Sequence, residues 1–364
     1  MENRARKLES YGVETMQSES PYRTQPDYAF WSRSVANGFD PTGLVQYFGQ
    51  FLIGGTDRIV SAGSCFASNI VAPLELAGFT YVRTELLPEP FASLPENLGY
   101  RGFSANYGNV YTARQMLQLL QRCDGTFIPV DDRYTDGVVV RDLLRPGLQY
   151  PAEDNEEFNL ITDSHLSATR RAFEEATVFI FTLGLTECWR SIADGCVYPS
   201  CPGTIAGIFS SDNYEFYNFS VAEIVSDLKE ILRIITSWNP NIRMVVTVSP
   251  VPLVATATDK HVLAATTYSK SVLRVAAGEF VAGNDLASYF PAYEIITGPQ
   301  APFTYFENDR RNVSLEGINA VMQILLSHCE TKTGVLPIIE KSKSTQALSH
   351  DVTKAECDEV AMEW

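Results

Sequence analysis

Histidine is scarce in this chain, four in 364 residues, so imidazole-based chemistry has few places to arise. They are His165, His261, His328 and His350. No Cys-x-x-Cys occurs among the seven cysteines, Cys65, Cys123, Cys188, Cys196, Cys201, Cys329 and Cys357. The nearest pair, Cys196 and Cys201, has no histidine close by to complete a zinc-type cluster, so no metal site is expected. A sparse, odd set of thiols fits a reducing, cytoplasmic-type setting. Basic residues are in deficit: 28 Lys and Arg stand against 44 Asp and Glu, a net charge of −16. That argues against a nucleic-acid surface, which is normally basic. No apolar run approaches the roughly 18 residues a membrane span needs. The start, Met1-Glu-Asn-Arg-Ala-Arg-Lys7, is charged with no apolar core behind it, so neither a signal peptide nor a membrane partner is expected. Internal repeats and low-complexity tracts are also missing.

With 45% hydrophobic residues, the chain can bury a substantial core. Residues 1–20 are polar and expected to be flexible, 21–330 form a single α/β domain, and 331–364 are a polar tail expected to be disordered. The aromatic-rich stretch from Pro21 to Trp31 is expected to pack on the domain. Within it, strands are expected at Ile59–Val60, Phe79–Arg83, Val178–Leu183, Met244–Val248 and within Ser288–Ile296. Helices are expected from Thr112, from about Ser164 with His165 in its first turn, from Ser220 to Trp238, from Thr267 to Ala282, and over Ser314–Leu325. Ser220-Val-Ala-Glu223 is a capping box. Residues 84–111, 124–160 and 190–219 read as irregular excursions, and the acidic cluster Glu153, Asp154, Glu156, Glu157 as a solvated face.

The chain is organised around residues 58–77. A short apolar run ends at Gly63, and a helical spacing (Phe66, Ile70, Leu74, Ala77) begins after Ser64 and Cys65. Such a turn lies at the carboxyl edge of an open sheet, where ligands bind. A thiol at a helix N-terminus is biased toward thiolate, which makes Cys65 the first candidate nucleophile. The plainer reading is a small buried hydrophobe.

Gly63-Ser64-Cys65-Phe66-Ala67 is the motif of the GSCFA family, and other stretches resemble that family in the same order. They are Tyr107-Gly-Asn-Val-Tyr-Thr-Ala-Arg-Gln115, Phe181-Thr-Leu-Gly-Leu-Thr-Glu187 with Trp189, Ser249-Pro-Val-Pro-Leu-Val-Ala-Thr256, and Thr267-Tyr-Ser-Lys-Ser-Val-Leu-Arg274. The resemblance runs over roughly residues 20 to 328 of the numbered chain. GSCFA proteins are similar to SGNH/GDSL hydrolases. This implies a flavodoxin-like three-layer α/β/α fold with a five-stranded parallel sheet.

By that resemblance Gly63, Ser64 and Cys65 stand where the hydrolases carry Gly-Asp-Ser. The nucleophile is then Cys65, with Ser64 second. Gly108 would supply an oxyanion donor with Asn109 beside it, although Gly and Asn also serve turns through their φ freedom. Thr186 stands at the asparagine position of the third block and Glu187 at its acidic position. Asn312, in Asp309-Arg310-Arg311-Asn312, replaces the histidine that normally precedes the last helix. A serine would then lack its base, whereas a thiol is partly ionised on its own. His261, on the loop after the fourth strand, is the candidate assisting base and matches a histidine of the GSCFA pattern; it equally suits a helix N-terminus. His165 reads as a capping or core-edge residue and a lesser binding candidate. Arg114, Arg190 and Arg311 offer positive charge to a substrate.

The resemblance implies a cysteine-dependent acyl-ester hydrolase or acyltransferase working through a thioester, with a saccharide or another small hydroxylated acceptor in view. No cofactor is required, and an acyl-thioester donor such as acyl-CoA is compatible. The partner is a small-molecule acyl substrate. The alternatives are a non-catalytic binding module for a small molecule or acyl-thioester, and a redox-responsive protein in which Cys65 forms a mixed disulfide.

Overall fold

The computed structural model describes residues 20–39, 41, 44, 53–86, 103–148 and 150–330, with Cys65 described by its backbone only. The N-terminal stretch before Ser20 and the 331–364 tail therefore lie outside the described residues. Met1–Leu44 and Val45–Trp364 are separate compact units. The first contains a 3₁₀ turn at Asp27–Ala29 and a π-type turn at Ser32–Ala36, with no buried residue in either.

The second unit runs in chain order as β1 (Arg58–Gly63), α1 (Cys65–Ser68), α2 (Val71–Leu76), β2 (Thr80–Tyr81), α3 (Ala113–Cys123), β3 (Arg133–Asp136), β4 (Val139–Asp142), α4 (Asn155–Glu175) and β5 (Val178–Leu183). It continues with β6 (Glu187–Ser191), β7 (Val197–Tyr198), β8 (Tyr214–Asn218), α5 (Val221–Trp238), β9 (Arg243–Val248), α6 (Val262–Ala282), β10 (Ala287–Phe290), α7 (Ala292–Thr297) and α8 (Leu315–Ser327).

Five strands form one parallel sheet in the order β10-β9-β5-β1-β2. Numbered among themselves these read 2-1-3-4-5 from the β2 edge, the flavodoxin-like order whose switch point lies beside β1. β5 is central and buried at all six positions, as a strand covered on both faces must be. The sheet's packing partners include α3, α5 and α6. Phe173, Phe179, Phe181, Leu228, Ile235, Leu273 and Phe280 interlock in its main core.

The amino edge of the sheet is tied by one carboxylate. Asp57 accepts from the Gly54 amide at 2.7 Å, from Thr177 Oγ1 at 2.5 Å and from Arg243 Nη2 at 2.8 Å. These bonds join the starts of β1, β5 and β9.

Several elements differ from the sequence expectation. The helix after Gly63 is two short ones, α1 of four residues and α2 of six, broken at Asn69–Ile70. α4 starts at Asn155, not near Ser164. Asp154 caps it by accepting the Glu157 amide at 2.9 Å, and Glu156 and Glu157 occupy its first turn, where carboxylates suit the positive helix end. His165 is therefore mid-helix. Residues 187–218 form a three-stranded antiparallel sheet, β7-β6-β8, and β3 and β4 pair antiparallel within the second excursion. The fifth strand stops at Phe290, and after Pro291 the chain turns into α7. The capping box at Ser220 and Glu223 forms as expected.

Candidate functional site

Backbone hydrogen bonds join the motif segments at the carboxyl edge of the sheet. The Val110 amide donates to the Gly63 carbonyl at 2.8 Å, and Tyr111 O accepts from the Gly184 and Leu185 amides at 3.0 and 2.9 Å. The Ser249 amide donates to Leu183 O at 2.9 Å. The turns after β1, β5 and β9 and the segment before α3 thereby become one surface.

Gly63 is required for this approach. Its φ of +151° lies in the region that favours glycine, and a Cβ there would stand 2.6 Å from Thr182 O. Gly184 packs almost as closely, its would-be Cβ 3.3 Å from that of Ser64.

A cavity of about 550 Å³ opens beside these turns. Ser64, Gly184, Glu187, Ser249, Thr256 and Arg311 lie on its polar wall. Trp189, Phe209, Phe216, Val251, Leu253 and Val254 line the rest, with Trp189 edge-on to Phe209 and Phe216 at 5.2 and 5.9 Å. Two of the four catalytic candidates, Ser64 and Glu187, thus line one cavity. Cys65 is the first residue of α1, directly after Ser64; its side chain lies outside the described part of the structure. The buried Ser64 Oγ makes no hydrogen bond among the described residues.

Glu187 is the one carboxylic acid on the cavity wall among the described residues. Burial raises its pKa above the ordinary 4.5, against the opposing hydrogen bonds from Thr256 and the Ala257 amide. Thr256 Oγ1 lies 3.0 and 2.9 Å from its two oxygens. A carboxyl so placed holds or releases a proton nearer neutrality than an exposed one.

Other sequence candidates are placed elsewhere. His261 is exposed and caps α6, its Nδ1 accepting from the Leu263 amide at 3.2 Å; it does not line the cavity. Thr186 is buried behind the wall, its amide and hydroxyl both 3.1 Å from Ser269 Oγ. Its donors thus face α6. Gly108 has φ +66°, the turn conformation. Asn109 is buried, and its carbonyl accepts from Gln115 Nε2 at 2.8 Å. Neither of these two side chains or backbones lines the cavity, although the segment that carries them borders it at Tyr111. Asn312 is exposed and folds onto Asp309, donating to Oδ2 at 2.5 Å; its neighbour Arg311 is the one that reaches the cavity.

Arg114 pairs with Asp227 through Nε at 2.9 and 3.0 Å, and burial lifts that carboxyl to about 6 even beside the guanidinium. Arg190 pairs with Glu215 at 2.7 Å and stacks on Tyr217. Both charges are satisfied within the protein. His165 is buried against Glu85, Nδ1 to Oε2 2.7 Å, and does not line the main cavity.

Some contributors were not singled out from sequence. Lys270, wholly buried in α6, donates from Nζ to the Gly184 carbonyl at 2.7 Å, and with Ser269 it holds the turn after β5 from behind. Gln115 accepts the Tyr111 amide at 2.9 Å. The signal for the first was a lysine at position 270 in helical register with the apolar Leu273 and Ala277; for the aromatic wall it was Trp189 two residues past Glu187.

Among the described residues no helix is long and apolar enough to cross a membrane, and Cys123, Cys188, Cys196, Cys201 and Cys329 are free thiols. No curated protein sequence matches the chain. Solved structures similar to it include a family 3 carbohydrate esterase of Clostridium thermocellum, 12% identical with a TM-score of 0.33 over 75% of this chain and 94% of that one. A carbohydrate esterase family 3 structure from Talaromyces cellulolyticus is 9% identical, TM-score 0.33, over 74% and 94%. An acetyl esterase S10A mutant with acetate ion is 10% identical, TM-score 0.32, over 76% and 96%. The model of the GSCFA family matches residues 58–324. That span holds every segment stitched together at the cavity, and the chain belongs to the GSCFA family.

Proposed function

We propose that the protein is an acyl-ester hydrolase or acyltransferase that works through a thioester on Cys65. The observation that carries the reading is the Gly63-Ser64-Cys65 turn, fastened by backbone hydrogen bonds at the rim of a cavity that also holds Glu187. In this reading the Cys65 sulfur attacks the ester carbonyl carbon and Glu187 takes the thiol proton. The tetrahedral adduct then expels the alcohol, which leaves with that proton as the C–O bond breaks. Water or an acceptor hydroxyl then attacks the thioester carbonyl and gives its proton to Glu187; the C–S bond breaks, the acid or the new ester leaves, and the proton returns to the Cys65 sulfur. Donors to the oxyanion come from the first amides after Ser64, which a helix start leaves without intrahelical partners. Because α1 is a single turn, those local amides rather than a long helix dipole supply the field.

The aromatic and aliphatic wall suits an acyl group with apolar bulk, and the rim carrying Arg311 suits a polar acceptor such as a saccharide or an acyl-thioester donor. A reducing, cytoplasmic-type location agrees with a thiol nucleophile.

A second reading is a non-catalytic binding module for the same ligands. It is favoured by the absence of imidazole from the cavity wall among the described residues. One experiment separates the two. The protein is treated with activated acyl esters and acyl-thioesters, and intact mass is read for wild type, Cys65→Ala, Ser64→Ala, Glu187→Gln and His261→Ala. The enzyme reading expects an adduct abolished by Cys65→Ala, slowed by Glu187→Gln and unchanged by His261→Ala. Non-covalent retention that survives Cys65→Ala refutes it in favour of the binding module, and adducts seen only under oxidation point to redox chemistry.

A further inference from the structure

Behind the segment that carries Tyr111 lies a second cavity, of about 30 Å³. It shares Gln115 with the main one. Its wall includes Arg122 of α3, Arg145 of the loop after β4 and His165 of α4, and, among the described residues, no carboxylate.

The other polar side chains on this wall are already committed. Gln115 bonds the Tyr111 amide and the Asn109 carbonyl at 2.9 and 2.8 Å. Gln118 bonds the Gly195 carbonyl and the Val197 amide, each at 2.8 Å. Tyr107 donates to the Ser61 carbonyl. Burial raises the Cys196 pKa, which keeps that thiol neutral.

Arg145 is different. It is 5% exposed; its Nε donates to Asp142 Oδ2 at 2.7 Å, while Nη1 and Nη2 make no hydrogen bond among the described residues. Its nearest contact to Glu85 is 3.9 Å, beyond hydrogen-bond reach. His165 is 1% exposed, and with Nδ1 committed to Glu85 its Nε2 has no hydrogen-bond partner among the described residues.

Buried guanidinium N–H groups without an acceptor are costly. The two carboxylates that balance this cluster, Asp142 and Glu85, lie outside the wall. Asp142 Oδ1 accepts the Leu144 and Arg145 amides, and Glu85 Oε2 accepts the Asn106 amide and His165 Nδ1. Among the described residues the charged groups on the wall are therefore the Arg122 and Arg145 guanidiniums, beside a His165 ring whose pKa burial and Arg145 hold below the ordinary 6.5. The space is larger than the roughly 10–15 Å³ that one water requires.

We infer that this cavity is an internal binding site for one monatomic anion, chloride, held by Arg145 Nη1 and Nη2 with Arg122 opposite. The site is separate from the proposed acyl chemistry and stands whether or not that chemistry does. Occupied, it supports Gln115 and through it the Asn109–Tyr111 segment that borders the main cavity.

The test uses the full chain and bromide as the probe. Crystals grown in bromide should give an anomalous peak within hydrogen-bond distance of Arg145 Nη1 or Nη2. In solution the unfolding midpoint should rise with chloride relative to gluconate at equal ionic strength, as for any ligand that binds only the native state. That response should be reduced at least several-fold in Arg122→Gln, whose side chain is half-buried and leaves the Asp142 and Glu85 contacts of Arg145 in place. Arg145→Gln should abolish it if the variant folds. Solvent density without an anomalous signal, or identical chloride and gluconate curves, would overturn the inference. So would an Arg122→Gln variant with an undiminished chloride response.

Discussion

Gly63→Ala tests whether the turn before Cys65 is as tightly specified as its contacts require. A methyl group there would sit 2.6 Å from Thr182 O, 2.7 Å from Thr182 Cβ and 2.9 Å from Ala67 Cβ, at φ +151°. The backbone conformation alone costs a non-glycine residue about 1–3 kcal/mol. Forcing a methyl into a packed core adds about 1–3 kcal/mol. The sum, about 2–6 kcal/mol, corresponds to a fall in melting temperature of roughly 4–11 °C for a domain of this size. Gly184→Ala is the control. Its φ is not in the glycine-favouring region and its nearest contact is 3.0 Å to Tyr111 O, so the expected loss is about 1 kcal/mol. Urea and thermal unfolding followed by circular dichroism, on both variants and wild type, give the two differences directly. If Gly63→Ala melts within a degree or two of Gly184→Ala, Thr182 and Ala67 do not confine the turn, and the close approach of β1 to β5 is not what fixes Ser64 and Cys65.

Replacing Lys270 by Met keeps its bulk and removes the bond to Gly184 O; the loss expected for a charge-assisted hydrogen bond is about 1.5–3 kcal/mol, measured by urea denaturation. Ser220→Ala removes half of the capping box on α5 and should cost about 1 kcal/mol with acylation rates untouched. Acylation by an activated ester should slow as pH falls through the pKa of Glu187, which burial places above the ordinary 4.5, because the proton acceptor is lost there. Glu187→Gln should remove that acidic limb, and an unchanged limb would show that another group takes the proton. The chloride response should strengthen in acid. Burial and Arg145 hold His165 below its ordinary value of 6.5, against Glu85, and an anion favours the protonated ring. With Arg122, Arg145, Glu85, Asp142 and Cys196 as the other ionisable groups around it, no growth of the response below about pH 6.5 would place His165 outside that effect.

The parallel sheet is legible in the chain because its central strand needs apolar side chains at every position, and Val178-Phe-Ile-Phe-Thr-Leu183 supplies them. β2 is harder to see, since only Thr80 and Tyr81 pair with β1. The antiparallel sheet of β6, β7 and β8 escapes a reading by alternation because neither the central strand β6 nor the edge strand β8 has a clean buried face: Glu187 and Cys188 are buried side by side, and in β8 only Tyr214 is buried. The start of α4 is misread for a related reason. Its carboxylates look like a solvated run, yet Asp154 and Glu157 work as a cap and first turn. At the site, residue order identifies which turns meet, because the sheet brings strand ends to one edge. It does not reveal that Thr186 points to Ser269, or that Arg114 is taken by Asp227. Such pairings depend on helices some 80 and 113 residues away in sequence, and local spacing carries no information about them.

Asp57 has a consequence for how this architecture tolerates change. By fastening three strand starts at the end remote from the cavity, it lets the sheet keep its register without help from the loops at the opposite end. Beyond the tightly packed Gly63 and Gly184 turns, those loops are then free to be lengthened, shortened or given new side chains with little penalty to folding. Selection for a different ligand can act on one rim of the molecule while the other goes on anchoring it.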